Sequence, residues 1–174
     1  MVDTLSISLP QSILVLKAHE LYRQGKTMDE VAAWLEENKS RSQAFFTVDD
    51  LTYLRRGGRI SAVAATVGTM LDLKPIITEG KNGKLLSTDK VRGRKQALRT
   101  LAELAAQNID DPAEAEMYVL HADAPEDADR LVQLLREKIP GLGNISTRYV
   151  GPVIGAHCGP GTVAVCFFGK ERPY

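Results

Sequence analysis

The sequence predicts an α+β or mixed α/β fold in which helices cover a mixed β-sheet. Stretches with apolar residues at helical spacing follow one another with short runs of branched and aromatic residues between them, which is typical of helices packed on a sheet. The Asn82-Gly83 pair between two such runs indicates an antiparallel hairpin, because both residue types tolerate positive φ. The 174 residues are 44% hydrophobic and 25% charged, an ordinary composition for one globular domain.

The first 40 residues predict two helices and no strand. Pro10 suits the opening turn of the first helix, and Gly25 suits its C-terminal end. Thr27 and Glu30 have the spacing of a capping box, which begins the second helix. Because no strand precedes these two helices, we expect residues 1–40 to be an appendage to an α/β domain formed by residues 41–174.

The remaining elements are predicted from hydrophobic periodicity and turn residues. Strands are expected at 43–48, 73–78, 84–90, 117–121, 145–150 and 163–168. Helices are expected in the segment that Asp49 caps and Gly57 ends, and at 60–71, 93–107 and 127–138. Residues 151–161, rich in glycine and proline, are predicted to be a loop between two strands.

Composition and motifs exclude several classes of function. Lys plus Arg and Asp plus Glu both number 22, so the basic excess typical of nucleic-acid binding is missing and we expect no nucleic-acid partner. Two cysteines do not make a disulfide framework, which favours a cytoplasmic protein, and the three histidines lack metal-ligand spacing. The longest apolar stretch, residues 60–71, falls short of the ~20 residues that span a bilayer.

Three segments carry residues suited to an anionic ligand. In the first, Arg55, Arg56 and Arg59 flank the Gly57-Gly58 turn, and guanidinium groups favour carboxylate or phosphate. A helix end with solvated arginines explains the same residues.

The second segment, residues 90–95, holds four basic residues where a strand runs into a helix. Basic charge at a helix start opposes the helix dipole, and an anionic partner would offset that cost. The third, residues 151–161, has four glycines around His157, and glycines let backbone approach a ligand closely. A solvated basic corner and a tight strand connection are the simpler interpretations of these two segments.

Together these segments resemble the DegV family of bacterial fatty-acid-binding proteins. The matching residues follow the order they have in the family: Val48 to Leu51, Tyr53 to Ser61, Lys74 to Ile76, Lys90 to Lys95, Gly151 to His157 and Gly159 to Gly161. The resemblance covers essentially the whole chain and is to the family's C-terminal portion.

The resemblance implies a lipid carrier rather than an enzyme. The family binds a long-chain fatty acid in a tunnel between two α/β domains. It presents the carboxyl group to a separate fatty acid kinase, which forms an acyl phosphate for phospholipid synthesis. Family members begin with a further domain that has no counterpart here, so we expect this chain to be a C-terminal fragment. The resemblance implies that residues 1–40 are the helical connection from that domain and that residues 41–174 are the C-terminal lipid-binding domain. The apolar face thereby exposed would favour self-association.

The resemblance also implies roles for individual residues, with no cofactor beyond the bound fatty acid. The residues expected to line the acyl slot are Ile60, Val63, Ala64, Val67 and Met70, although an ordinary core helix explains the same pattern. Arg59 and His157 are expected to bind the ligand where the slot opens, with Arg92 converging there. Arg56, Arg92 and Arg94 are expected to serve the head group or the docking of the kinase.

A second hypothesis is a small enzyme that acts on a phosphorylated or carboxylated substrate through His157 and the arginines. A serine nucleophile or a carboxylate beside His157 would favour it. His157 and Cys158 do not make a convincing Cys–His pair, and Cys166, between Val165 and Phe167, is predicted to be a core residue.

Overall fold

The computed structural model describes residues 1–59 and 72–174. The helices are α1 Ser8–Arg23, α2 Met28–Asn38, α3 Thr52–Arg56, α4 Arg94–Asn108, α5 Pro125–Lys138 and α6 Pro152–Cys158, with a 3-10 turn at Lys39–Arg41. The strands are β1 Ser42–Thr47, β2 Leu73–Glu79, β3 Leu85–Arg92, β4 Glu116–His121, β5 Asn144–Tyr149 and β6 Val163–Phe168.

The strands form one mixed sheet in the order β3-β2-β1-β6-β4-β5. Every described neighbour pair is antiparallel except β4 and β5, which run parallel and are joined through α5. The predicted hairpin is confirmed, since β2 pairs with β3. Its turn differs in detail, because only Gly83 takes a positive φ while the Asn82 side chain accepts the Lys84 N–H at 3.0 Å.

One face of the sheet carries the main hydrophobic core. Helices α4 and α5 pack there, as predicted, through leucines at helical spacing such as Leu98, Leu101 and Leu131, which are buried against Phe45 and Val165. Burying a Leu or Phe side chain stabilises a fold by about 1.5–3 kcal/mol. This layer therefore packs two helices on one face of the sheet and leaves the opposite face to other elements.

A smaller apolar cluster lies on the opposite face, under α1, α3 and α6. Ile13, Leu54 and Cys158 contribute its buried residues from those three helices. Helix α1 lies against β1 and β6, and the Ser42 hydroxyl donates a hydrogen bond to the Pro10 carbonyl at 2.7 Å.

Helix α2 begins with the predicted capping box. The Thr27 hydroxyl accepts the Glu30 N–H at 3.3 Å, and the Glu30 carboxylate accepts the Thr27 N–H at 2.8 Å. That second bond holds the pKa of Glu30 below its usual value. Trp34, further along α2, stacks on Phe168 with ring centroids 5.8 Å apart. The capping box fixes the start of α2, and the stacked ring packs this helix against the last strand.

The Gly/Pro-rich segment between β5 and β6 is a helix, α6, rather than the loop that the sequence predicts. Pro152 occupies the first turn, where its fixed φ favours a helix. Gly159 ends the helix at φ 79°, a conformation that glycine adopts at little cost. The loop prediction was wrong because the high glycine content suggested a loop. The signals of a short helix, a proline at its first position and a glycine just after its last, were overlooked.

A buried ion pair joins the C-terminal segment to the end of β2. Arg172, near the C-terminus, donates from Nη2 to the Glu79 carboxylate at 3.0 Å, and both side chains are almost fully buried. Burial is the largest influence on the pKa of Glu79 and raises it, while the Ile7 N–H and Arg172 act in the opposite direction.

Among the residues described, no helix is long and apolar enough to span a membrane.

Candidate functional site

The three segments predicted to meet an anionic ligand lie together at one end of the sheet. That end is formed by the last residue of β1, Thr47, and the first of β6, Val163, which are register partners. Helices α3 and α6 pack against each other beside it. The first and third predicted segments therefore meet through these two helices and the turns that follow them.

His157 makes one of the close contacts between those two segments. A Cβ placed on Gly57 would lie 2.6 Å from the His157 Cδ2 atom, so the imidazole fits there only because residue 57 is glycine. His157 Nδ1 lies 2.9 Å from the Val153 carbonyl. A carbonyl oxygen can only accept, so Nδ1 carries the hydrogen, and in the neutral ring Nε2 is the acceptor nitrogen. The ring is half-buried and turned toward the arginine-rich turn.

Two further glycines of the third segment make equally close contacts with the first. The Tyr53 ring of α3 packs directly on the backbone of Gly159, where a side chain would collide with it. A Cβ on Gly161 would lie 2.6 Å from the Cβ of Asp49, and Gly161 has φ 80°. Glycine at these positions thus serves contact between α3 and the turn after α6.

Arg94 links the second predicted segment to the same place. Its Nε donates to the Asp127 carboxylate at 2.7 Å, and its Nη2 donates to the Gly161 carbonyl at 2.6 Å. The side chain is largely buried at the starts of α4 and α5. Arg94 therefore holds the turn after α6 in place, a role that sequence reasoning did not foresee.

The other candidate arginines are exposed. Arg56 and Arg92 lie on the surface, and Arg59 donates from Nη1 to the Gly57 carbonyl at 2.7 Å. The Asp50 carboxylate, rather than that of Asp49, accepts the Thr52 N–H at the start of α3, and this bond lowers the pKa of Asp50. Asp49 instead accepts from the Lys74 ammonium at 2.6 Å.

An apolar pocket lies on the sheet face beneath α6. Its floor comes from side chains of the central strands β1, β6 and β4, and three of these are small: Ala44, Ala164 and Cys166. Phe46 and Leu120 complete the floor. Small side chains in the middle of a sheet leave space above it. The cavity itself is about 60 Å³, within about 490 Å³ of space that includes the solvent at its open edge.

The walls of the pocket come from three other parts of the chain. Helix α6 contributes Ile154 and Cys158, the residue after His157. The hairpin end contributes Leu85 and Glu79, and the N-terminal segment contributes Ile7, with Ser8 and Pro10 beside it. Burial raises the pKa of the Cys158 thiol to about 11, and it raises the pKa of Cys166 further. Both thiols are thus neutral, and they behave as apolar side chains in this pocket.

The predicted slot residues Ile60, Val63, Ala64, Val67 and Met70 lie outside the described residues. The pocket floor was not predicted, although alternate small residues on β1 and β6 were a signal for it. In residues 1–59 and 72–174, no group of three or more His, Cys, Asp or Glu side chains is placed to hold a metal ion.

Comparison with known proteins agrees with this architecture. A DegV domain-containing protein of Clostridium perfringens is 41% identical over 171 residues, which are 98% of this chain and 58% of that protein. A solved structure described as a fatty acid binding DegV family protein from Streptococcus agalactiae superposes with a TM-score of 0.85 at 30% identity, covering 98% of this chain and 60% of its own. DegV of Bacillus subtilis, described as a fatty acid binding protein, superposes with a TM-score of 0.78 at 33% identity, covering 97% and 60%.

The chain therefore spans about 60% of the length of the relatives it matches. The family model described as "Uncharacterised protein, DegV family" matches residues 1–170, nearly the whole chain. The predicted mixed sheet, the order of the basic and glycine-rich segments, and this match agree with one another. The chain belongs to the DegV family.

Proposed function

We propose that this chain binds a long-chain fatty acid over the sheet face and presents its carboxyl group to a fatty acid kinase. In this proposal the chain is a carrier, and the partner kinase performs the chemistry. The acyl chain lies on the floor formed by Ala44, Ala164 and Cys166, and the carboxylate lies toward α6 and His157.

The observation that carries the proposal is the character of the pocket. Among its lining residues, Glu79 is the one with a charged side chain, and that carboxylate is already bonded to Arg172 and to the Ile7 N–H. Such a surface gains free energy from contact with methylene groups, at about 0.8 kcal/mol for each one buried. A polar substrate would gain nothing there, which favours a lipid.

The head group requires a different surface, and the α6 end of the pocket supplies one. A carboxylate buried without partners is strongly disfavoured, and charge-assisted donors remove that cost. His157 follows the pocket-lining Ile154 by less than one helical turn, and its ring lies on the turn that carries Arg59. We infer that His157 contacts the carboxylate and that the exposed Arg56, Arg59 and Arg92 contact the head group or the kinase.

The relatives support the same class of ligand. The Streptococcus agalactiae and Bacillus subtilis proteins are both described as fatty acid binding. The bonding of His157 Nδ1 to a carbonyl of its own helix, rather than to a carboxylate, does not favour the alternative of a small enzyme.

The decisive experiment is mass spectrometry of lipid extracted from the purified chain, with one variant that fills the pocket. Ala164→Leu places a larger side chain on the floor and should reduce the co-purified fatty acid several-fold. Ala156→Leu makes the same change on the exposed side of α6 and should leave it unchanged. Absence of fatty acid from the unmodified chain, or equal retention by both variants, would contradict the proposal.

A further inference from the structure

The pocket has a distinct end far from α6. There the lining residues are Ile7, Ser8, Pro10 and Glu79, so the N-terminal segment lies across the end of the space. Glu79 is the last residue of β2, next to the hairpin turn, whereas α6 lies at the opposite ends of the strands. An acyl chain that enters beside α6 and follows the sheet therefore reaches Ile7 with its methyl terminus.

The buried ion pair fastens this end. The Glu79 carboxylate accepts the Ile7 N–H at 3.0 Å through Oε1 and the Arg172 guanidinium at 3.0 Å through Oε2. Arg172 also donates to the Leu5 carbonyl at 2.8 Å and bonds to the Ser6 hydroxyl. Three consecutive residues, Leu5 to Ile7, are thus each held by the pair.

The same arginine fixes this assembly to the sheet. Its Nε donates to the Ser42 carbonyl at 3.0 Å and its Nη1 donates to the Gly80 carbonyl at 3.1 Å, at the start of β1 and just beyond β2. The guanidinium and the carboxylate are therefore occupied by protein groups, and an incoming lipid meets the Ile7 side chain rather than an available polar group. Moving the segment aside would leave the ion pair in place but remove three of its hydrogen bonds, and lost hydrogen bonds to buried charged groups are costly.

We propose that the Arg172–Glu79 pair sets the length of the acyl chain that the pocket accepts, by holding Leu5 to Ile7 as a rigid end wall. This inference rests on the proposed fatty-acid binding. Each methylene that becomes buried improves affinity about fourfold. Affinity should therefore rise along a series of saturated fatty acids until the terminus meets Ile7, and then stop rising or fall.

The end wall is tested by changing the size of Ile7 in both directions. Ile7→Ala should move the chain length of maximal affinity upward, and Ile7→Trp should move it downward, in titrations with saturated fatty acids from dodecanoate to eicosanoate. Val15→Ala and Val15→Trp are matched controls, because Val15 is exposed on α1 and is not among the pocket-lining residues. Both controls should keep the maximum of the unmodified chain.

The role of the ion pair is tested by releasing the wall without changing Ile7. Arg172→Met removes all five guanidinium bonds, and Ser6→Ala removes one of them. Both variants should broaden the length profile, so that affinity continues to rise beyond the original maximum, with the larger effect in Arg172→Met. If Arg172→Met does not fold in a thermal melt, Ser6→Ala and the Ile7 pair decide the result.

The outcomes distinguish the two proposals. A shifted maximum in the Ile7 variants and a broader profile in Ser6→Ala or Arg172→Met support the end wall. Tight binding with an unchanged profile in every variant overturns it while leaving fatty-acid binding intact. Lack of binding by the unmodified chain to any member of the series contradicts the proposed function itself.

Discussion

At the scale of single residues, His157 and Arg94 show how similar sequence signals lead to different roles. Both lie beside glycines in segments suited to anions. Arg94 is enclosed by Asp127 and the Gly161 carbonyl, while the His157 ring rests on Gly57 beside an exposed group of arginines. Arg94 is therefore a structural anchor, whereas we propose that His157 serves the ligand.

Replacing His157 with alanine should impair transfer more than retention. Loss of one charge-assisted hydrogen bond costs about 1.5–3 kcal/mol, or roughly tenfold to hundredfold in rate. We expect His157→Ala to slow phosphorylation of the bound fatty acid by a fatty acid kinase by that factor, in a protein of the full length that the relatives have. The amount of fatty acid retained should change less. A wild-type rate would make His157 a purely structural residue.

Replacing Arg94 with alanine should instead lower the free energy of unfolding. The substitution removes one bond to a carboxylate and one to the part-buried Gly161 carbonyl, an expected loss of about 2 kcal/mol in urea denaturation. Arg92→Ala is the control, because Arg92 is exposed and its loss should change stability by less than about 0.5 kcal/mol. Equal stability of the two variants would show that the Arg94 contacts carry little energy.

At the scale of elements, the contact between α3 and α6 depends on glycines, because a side chain at these positions would collide with the facing helix. Gly57 has an ordinary helical φ of −76°, so alanine there adds no backbone strain. Its methyl group would instead meet the His157 ring at 2.6 Å. The position therefore couples the arginine-rich turn to the orientation of His157.

Gly57→Ala should consequently reproduce the phosphorylation defect of His157→Ala while leaving the fold intact. We expect the free energy of unfolding to change by less than about 1 kcal/mol. Gly151→Ala is the matched control, since nothing lies within 4 Å of a Cβ there and its φ is −64°. Phosphorylation rates and urea denaturation are measured for both variants. A slower rate with unchanged stability indicates a displaced imidazole, whereas a loss of stability indicates a damaged fold.

At the scale of the whole molecule, the sheet separates the main hydrophobic core from the pocket. Both cysteines line the pocket. Cys166 lies on the central strand β6, whereas Cys158 lies on α6 at the pocket wall. A central strand opens only with global unfolding, while a short peripheral helix opens locally.

Iodoacetamide should therefore label Cys158 slowly and Cys166 only in denaturant, as followed by mass spectrometry. Because the pKa of Cys158 is raised to about 11, its labelling rate should rise about tenfold per pH unit between neutral pH and that value. Added fatty acid should slow labelling of Cys158 further if the pocket is occupied. Equal labelling of both thiols in the native chain would contradict the described positions, with Cys158 on a peripheral helix and Cys166 on a central strand.

The sequence by itself determined most of the described local elements and singled out the three segments that meet at one end of the sheet. Periodicity predicts the strands and the two core helices, since each pattern is read within ten or fifteen residues. The basic and glycine-rich segments were also recognisable from residue types alone, together with the family they resemble. The exception was α6, whose seven residues are too short for periodicity to reveal.

Only the tertiary structure decided which of these segments form a site and where the pocket ends. Ala44 and Ala164 become one floor because β1 and β6 are neighbours, a pairing between strands more than a hundred residues apart in sequence. Glu79 and Arg172 are 93 residues apart and meet only because the C-terminus returns to the start of β1. The local sequence pattern indicates whether a side chain is buried. Which distant residue it contacts depends on the order of the strands in the sheet and on the path of the chain between them.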